Sequence, residues 1–498
     1  MAPDRETRPP ARRVARNTVL RAAAEIVGKL ASIALFAYVA RALGSGILGE
    51  FVFALALTQI VWSLAGFGFD RMALRDIARD HRAIDRLFWD MFTFKLAAGL
   101  VGIAAAAAIV ALAGYSGRVQ ALVAILGLAV VLVLVSAGAQ AVFQAYERME
   151  YYFYAAVPNK VLAALLGIGV LLAGGGIVAV AAGQLVAAIL SLAIALWFLY
   201  RNFARPRVAV RPRAWPRLAR DSAPFGMQEV LGQVIFRIDI VILSLLTTSA
   251  VVGAYGAGYR LLEATLFLAW SVGTSVLPMY SYLARDGQPS LGRVFEGSLK
   301  FVAVIVVPVA VAFFLCARGI VDAVYGLPEY ETTVAVLRWL AFALVAYSVG
   351  HLAGILVLVR RPGRLTVIAT GVVAVFNVAL NLVLIPRFGA EGAAAATLAT
   401  ELLLAAIVVL LARPVAGTPN WLSIGGGATL GAAAMVGVLL PLDGALWALP
   451  LALVAYLLVL AVFEARSLSG DLAAVREVLS RRGSVPAVAA EESPPGPL

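Results

Sequence analysis

The chain has 498 residues, of which 62% are hydrophobic and only 14% charged. A soluble globule could not hide that much apolar surface, so the composition excludes one and puts the chain in a membrane. The formal charge of +12 would suit nucleic acid, but the basic residues gather in alternate loops, where they fix orientation during insertion, so no nucleic-acid partner is expected.

Apolar runs of about 20 residues, enough to cross a hydrocarbon core as helix, recur along the chain. About fourteen transmembrane helices are predicted, at 19–42, 48–69, 91–113, 119–145, 154–173, 177–200, 223–246, 252–281, 296–316, 333–359, 365–385, 391–412, 421–441 and 445–463. Arg5, Arg8, Arg12, Arg13 and Arg16 precede the first; Arg71, Arg75 and Arg79 follow the second; Arg201, Arg205, Arg207, Arg211 and Arg213 follow the sixth. An even number of spans with both termini cytoplasmic puts all three groups on one side. The expected layout is a basic N-terminus (1–16), an N-lobe of six helices (17–200), an Arg/Pro-rich cytoplasmic linker (201–222), a C-lobe of six helices (223–412), two extra helices (413–464) and a cytoplasmic tail, largely disordered (465–498). The tail includes a basic amphipathic piece, Leu468 to Leu479.

The two lobes look duplicated. Glu25-Ile26-Val27-Gly28-Lys29 matches Glu229-Val230-Leu231-Gly232-Gln233, and the same offset of 204 residues carries Ser45 and Gly49 onto Ser249 and Gly253. Both copies start from the cytoplasm, so the repeat is of the parallel kind, about an axis along the membrane normal.

Several polar groups sit inside spans, where a charge costs about 2.5–3.5 kcal/mol at mid-bilayer. In the first, Arg21, Glu25 and Lys29 form one stripe, extended by Ser32; in the seventh, Glu229, Gln233 and Arg237 do the same. Asp239 lies about 200° around the helix from Arg237 and belongs to another face. In the eighth, Tyr255, Tyr259 and Glu263 align, with Arg260 one turn from Glu263. These ten residues, Arg21 to Glu263, are the candidate substrate-binding set of a central cavity. The plainer reading is mutual neutralisation: Glu25 with Arg21 or Lys29, Arg260 with Glu263, and Arg237 with a carboxylate on a neighbouring helix. Lys95 and Lys160 lie near span ends and are expected to snorkel. Asn377 and Asn381 are expected to bridge helices through amide hydrogen bonds, and His351 to be a hydrogen-bonded interior residue. One cysteine, Cys316, two distant histidines and the lack of a GxxxxGK[ST] loop leave no usual ligands for thiol chemistry, zinc or ATP hydrolysis, so no cofactor or metal is expected.

An ordered set of short patterns carries a resemblance: Ala40-Arg41-Ala42-Leu43-Gly44 with Gly49, Pro224, Arg237-Ile238-Asp239, Val252-Gly253-Ala254-Tyr255 with Tyr259-Arg260-Leu261, Leu277-Pro278, Tyr325-Gly326, Asn377, Asn381, Leu384-Ile385-Pro386, Phe388-Gly389 and Gly392-Ala393-Ala394. Over roughly residues 17 to 412 they resemble the polysaccharide transporter (oligosaccharide flippase) family of the multidrug/oligosaccharidyl-lipid/polysaccharide (MOP) exporter superfamily. The resemblance implies an all-α polytopic fold of two six-helix bundles around a cavity that opens alternately to each side. It also implies a cargo, an isoprenoid diphosphate-linked oligosaccharide moved to the outer leaflet of the bacterial inner membrane, with membrane lipid and other polysaccharide-assembly proteins as partners and no enzymatic activity. Arg21, Lys29, Arg237 and Arg260 would then hold the diphosphate, and Glu25 and Glu229 would hold those cations or carry a coupling H+ or Na+. A final helix pair exceeds the family's common twelve. The rival in the same superfamily is a cation-coupled multidrug exporter, which the cationic partners disfavour. A major-facilitator transporter lacks its glycine-centred loop motif here, and a polysaccharide polymerase would need a larger external loop than Cys316 to Thr332.

Overall fold

The structure, a computed structural model, describes residues 11–203, 210–285, 290–360 and 364–465, with the side chains of 11–22, 85, 86, 285, 360 and 364 left aside. The expected basic residues up to position 10, the 204–209 part of the linker and the whole predicted tail piece Leu468 to Leu479 lie outside the described residues. What is described contains helices and no strand. Hydrocarbon imposes this, because it offers no partner to an unpaired backbone N–H or C=O.

The first group of helices comprises α1 (Ala11–Gly66), α2 (Phe69–Arg79), α3 (Ala83–Leu112), α4 (Gly117–Ala145), α5 (Met149–Leu172) and α6 (Ile177–Asn202). The second comprises α7 (Trp215–Leu246), α8 (Ser249–Thr265), α9 (Phe267–Arg285), α10 (Ser290–Leu315), α11 (Ala317–Val324), α12 (Glu331–Arg360) and α13 (Arg364–Ala416). The final pair, α14 (Trp421–Leu439) and α15 (Leu449–Ala465), pack on each other and lean on α10. Each group packs chiefly within itself, and the two meet mainly where α1 lies against α7 and α8, with α2 and α3 also against α7. Lys300 of α10 pairs with Glu464 of α15 at 2.6 Å, which ties the extra pair to the second group.

Eleven segments among the described residues are long and apolar enough to cross a membrane. Two of them are broken inside. As one straight helix the 56 residues of α1 would reach about 84 Å, against a hydrocarbon core about 30 Å thick; the chain leaves helical geometry at Gly44 (φ 81°), and α13 does so at Gly389 (φ 55°). Both lie in the left-handed region that a Cβ disfavours. The charged residues of α7, a helix of 32 residues, keep it outside the eleven.

Two elements differ from expectation. The stretch after the second span is not loop throughout: Phe69, Met72, Ala73 and Ile77 fall on one face and are buried, so Phe69–Arg79 forms an amphipathic helix with Arg71, Arg75 and Arg79 outward. The expected linker is also shorter, since α7 begins at Trp215, with Pro216 in the first turn where its missing N–H costs nothing.

A glycine pair sets the distance between the groups. A Cβ on Gly49 would strike the carbonyl of Ser249, and a Cβ on Gly253 the carbonyl of Ser45. The contact is reciprocal: Ser45 and Gly49 on one side correspond to Ser249 and Gly253 on the other at the offset of 204, and Gly49 and Gly253 face each other.

Replacement of Gly44 by Ala forces a Cβ onto a left-handed residue and brings it to 2.7 Å from Glu329 Oε1. A loss of about 1–3 kcal/mol is expected, seen as a lower thermal-unfolding midpoint of the detergent-purified protein. Gly138→Ala, whose Cβ meets nothing within 4 Å, is the control and should match wild type. An unchanged midpoint for Gly44→Ala would mean that the break does not depend on glycine.

Candidate functional site

The stripes on α1 and α7 converge on the C-terminal half of α8. Arg237 of α7 donates from Nη2 to Glu263 Oε1, and Arg260 donates from Nη1 to Glu263 Oε2 at 2.9 Å. Lys29 of α1 donates from Nζ to the Glu263 carbonyl at 3.2 Å, and Arg260 Nη2 donates to Ser32 Oγ. Aromatic faces complete the surround: the Arg260 guanidinium lies 4.1 Å from the Phe36 ring centroid and that of Arg237 lies 5.9 Å from Tyr259. Three cations from three helices thus gather on Glu263, two on its carboxylate and Lys29 on its backbone carbonyl, and the group keeps a surplus of positive charge. Arg237 Nε is buried and has no acceptor.

The enclosed space is small. A cavity of about 20 Å³ is lined by Phe36, Gln59, Arg237, Tyr259, Arg260 and Glu263, among others. That is room for about one water, so the space among these cationic side chains is closed here, where an open chamber was expected. The physical reason is Glu263, which draws the cations of α1 and α7 onto α8. Its side chain is 12% exposed and that of Arg237 14%, so the charges are largely desolvated and each depends on the others.

Of the ten residues read from the sequence, Lys29, Arg237, Tyr259, Arg260 and Glu263 meet at this site. Arg21 lies in α1, with its side chain outside the described residues. Among the described side chains Glu25 pairs not with Lys29 but with Lys160 of α5 at 3.8 Å, and Gly28 leaves the room in which the Lys160 stem lies. Glu229 stands apart, within electrostatic reach of Arg71, Asp70 and Lys95, so the α7 stripe divides between two charge groups. Gln233 is half-buried on the same helix. Tyr255 is fully buried and donates to Asp239 Oδ2, with Thr397 Oγ1 3.1 Å from its hydroxyl.

Lys95 does not snorkel. It is wholly buried, pairs with Asp70 and donates to the Leu134 carbonyl at 3.3 Å. Asp70 opens the α2 that was read as loop, and that partner holds the ammonium inside. Asn377 bridges across the break at Gly389 to Thr400 at 2.9 Å, as expected of it, whereas Asn381 donates back to the Asn377 carbonyl of its own helix at 2.9 Å and bridges no helices among the described residues. The His351 ring stacks on Tyr347, centroids 5.7 Å apart. The site also uses Gln59 and Phe36, and the interior holds Glu401, none of which was singled out. Polar residues in the apolar runs 48–69 and 391–412 were the available signal.

At the break in α1 around Gly44 the two groups are latched. Arg41 donates to the carbonyls of Val324 at 3.0 Å, Asp322 at 3.3 Å and Ala323 at 2.5 Å, at the C-terminus of α11 where unpaired carbonyls and the helix dipole favour a cation. The Ser45 N–H donates to Glu329 at 2.5 Å, and the Tyr330 hydroxyl to the Ala40 carbonyl at 3.2 Å.

The fold is that of MOP-type transporters: a lipid II flippase MurJ in an inward closed conformation superposes with a TM-score of 0.75 at 16% identity, covering 91% of this chain and 99% of that one. An inward-facing multidrug resistance MATE transporter of the MOP superfamily superposes at 0.65, also with 16% identity, covering 80% and 97%. The chain belongs to the polysaccharide biosynthesis protein family, whose sequence model matches residues 14–284, as the resemblance in its motifs implied. Two curated relatives come from Haloferax volcanii. The probable low-salt glycan biosynthesis flippase Agl15 is 29% identical over 161 residues, 32% of this chain and 34% of that one. The probable flippase AglR is 26% identical over 264 residues, 51% and 53% respectively. The matches therefore span about a third and about half the length of these relatives.

Glu263→Gln removes the counter-charge and leaves Arg237 and Arg260 desolvated. About 3–5 kcal/mol of stability should be lost, read as a lower unfolding midpoint. Inorganic diphosphate added to this variant should restore part of it. A midpoint equal to wild type would show that the shared carboxylate does not hold the cations.

Proposed function

We propose that this chain is an alternating-access flippase that carries an isoprenoid diphosphate-linked oligosaccharide, a polysaccharide precursor, across the cytoplasmic membrane. The observation that carries the reading is the surplus of positive charge where α1, α7 and α8 meet. A diphosphate is a compact multivalent anion, and guanidinium groups match its oxygens with parallel hydrogen bonds. Names of relatives point the same way: Agl15 and AglR are called flippases, the former in glycan biosynthesis.

In this reading the cargo's diphosphate replaces Glu263 as the anion between Arg237, Arg260 and Lys29. The closed space of about 20 Å³ then has to widen, with α1 parting from α7 and α8, while the isoprenoid tail stays in lipid. The Arg41 latch and the Gly49–Gly253 crossing would form the outer seal, and the contact of Phe67 and Gly68 with Phe225 and Gly226 the cytoplasmic one. The reciprocal contact at the 204-residue offset supports a parallel two-fold repeat, and with it fourteen spans, two six-helix lobes plus α14 and α15, and both termini in the cytoplasm. A bacterial inner membrane, polysaccharide-assembly partners and transport without covalent chemistry complete the proposal. Coupling to H+ or Na+ is part of it as well. An exporter of cationic drugs would be served by surplus negative charge at its site, which the three cations around Glu263 do not offer.

Reconstitution in liposomes tests this. Wild type should move a labelled isoprenoid diphosphate oligosaccharide between leaflets much faster than protein-free vesicles do, and Arg237→Ala and Lys29→Ala should abolish movement with normal insertion. Arg237→Lys should retain only part of it, since the planar fork is gone. Full transport by both alanine variants would overturn the site, and drug efflux without lipid movement would favour the multidrug exporter.

Opening of the outer seal gives a separate check. Arg41→Ala should raise labelling of a cysteine introduced at Ser45 by a membrane-impermeant thiol reagent added outside, compared with the same cysteine beside Arg41. Equal labelling would remove Arg41 from the seal.

A further inference from the structure

Glu401 lies in α13 beyond Gly389, in the second helix group. Its side chain is 5% exposed. Every other carboxylate in the spans around the site has a charge or donor to meet it. Glu263 has Arg237 and Arg260, Asp239 has Tyr255 and the Ile240 N–H, Glu25 has Lys160, and Glu229 is within reach of Arg71 and Lys95. Glu401 has no cation and no hydrogen-bond donor among the described residues.

The helices packed on α13 are α12, α7, α8 and, less extensively, α10. The titratable groups in electrostatic reach of Glu401 are Tyr259 from α8 and Tyr347 from α12. On α7, Arg237 and Asp239 reach Tyr259, but neither acts on Glu401, and no charged group of α10 does. Tyr347 itself accepts from Trp270 Nε1 and is stacked by His351. Tyr259, in turn, lies beneath the Arg237 guanidinium. Tyr259 is thus within electrostatic reach of the lone carboxyl and in contact with the cation site.

An ionised carboxylate buried without a partner is far more costly than its neutral acid, so a closed state of this shape favours the proton. A cargo-loaded state has no such need, because a glycan diphosphate cannot fit in about 20 Å³ and must hold the helices apart around water. We propose that Glu401 is the proton-binding site of the empty, returning carrier. The inference rests on the flippase reading and names its coupling ion. After cargo leaves on the outer side, the Glu401 carboxylate takes a proton from water there. The neutral acid lets α1, α7 and α8 close, and the carrier returns. On opening to the cytoplasm the acid gives its proton to water, and the ionised form holds the site open for the next cargo. One proton thus enters for each cargo moved out, and movement of cargo against cargo, which needs no empty return, requires no proton.

Two measurements test this, one without cargo. In purified wild type, the distance between spin labels on α1 and α8 should lengthen as pH rises, and in Glu401→Gln, a permanent mimic of the neutral acid, it should stay short at every pH. In liposomes, net translocation by wild type should rise at least about fivefold when the outer side is acid. In Glu401→Gln that ratio should fall to unity while cargo exchange continues. A wild-type distance that ignores pH overturns the proposal even if the variant fails to fold, as does a gradient response retained by Glu401→Gln. Wild-type protein that moves no lipid-linked glycan, yet still opens with rising pH, would instead refute the flippase reading and leave the proton site standing.

Discussion

The carboxylate of Glu263 is the point on which the arrangement turns. It accepts from Arg237 on α7 and from Arg260 on its own helix, and its backbone carbonyl accepts from Lys29 on α1. Without it, three cations would face one another in a space of about 20 Å³, where like charges repel strongly because water is scarce. With it the helices can close, but at incomplete neutrality. That residue of positive charge makes the closed form a resting arrangement, one that a stronger anion can displace.

Closure and opening then become a competition between anions. Glu263 offers two oxygens and one charge, and a diphosphate offers more of both. In the proposed function, binding energy from the cargo is spent on separating α1 from α7 and α8, the movement proposed to carry a head group through the membrane. The latch at Arg41 is made of carbonyl contacts, which are weaker than paired charges and easily exchanged for water. The Gly49–Gly253 crossing lets two backbones approach closely enough to seal without any side chain between them.

The sequence disclosed much of the helix plan. Apolar runs of membrane length, the glycines at 44 and 389 and the stripes of Lys29 and Arg237 were all visible, because composition and a 3.6-residue period need only local information. The misreadings share one cause. Lys95 looked like a snorkelling cation and Glu25 like a partner of Lys29, since near neighbours along one helix are all that a sequence shows. Asp70 and Lys160, which in fact meet them, come from other helices. Helix α2 was hidden by its arginines, although Phe69, Met72, Ala73 and Ile77 marked its buried face. Glu401 went unnoticed for the opposite reason. Its significance lies in having no cation or hydrogen-bond donor beside it among the described residues, and a sequence does not show what surrounds a residue.

The central claim is that the surplus cations around Glu263 receive a diphosphate, and binding to purified protein in lipid nanodiscs tests it most directly. A labelled isoprenoid diphosphate without sugar should bind wild type in a salt-sensitive manner and bind the Lys29→Ala, Arg237→Ala double variant at least tenfold more weakly, a loss of about 1.4 kcal/mol or more. Equal binding by the two proteins would contradict the account.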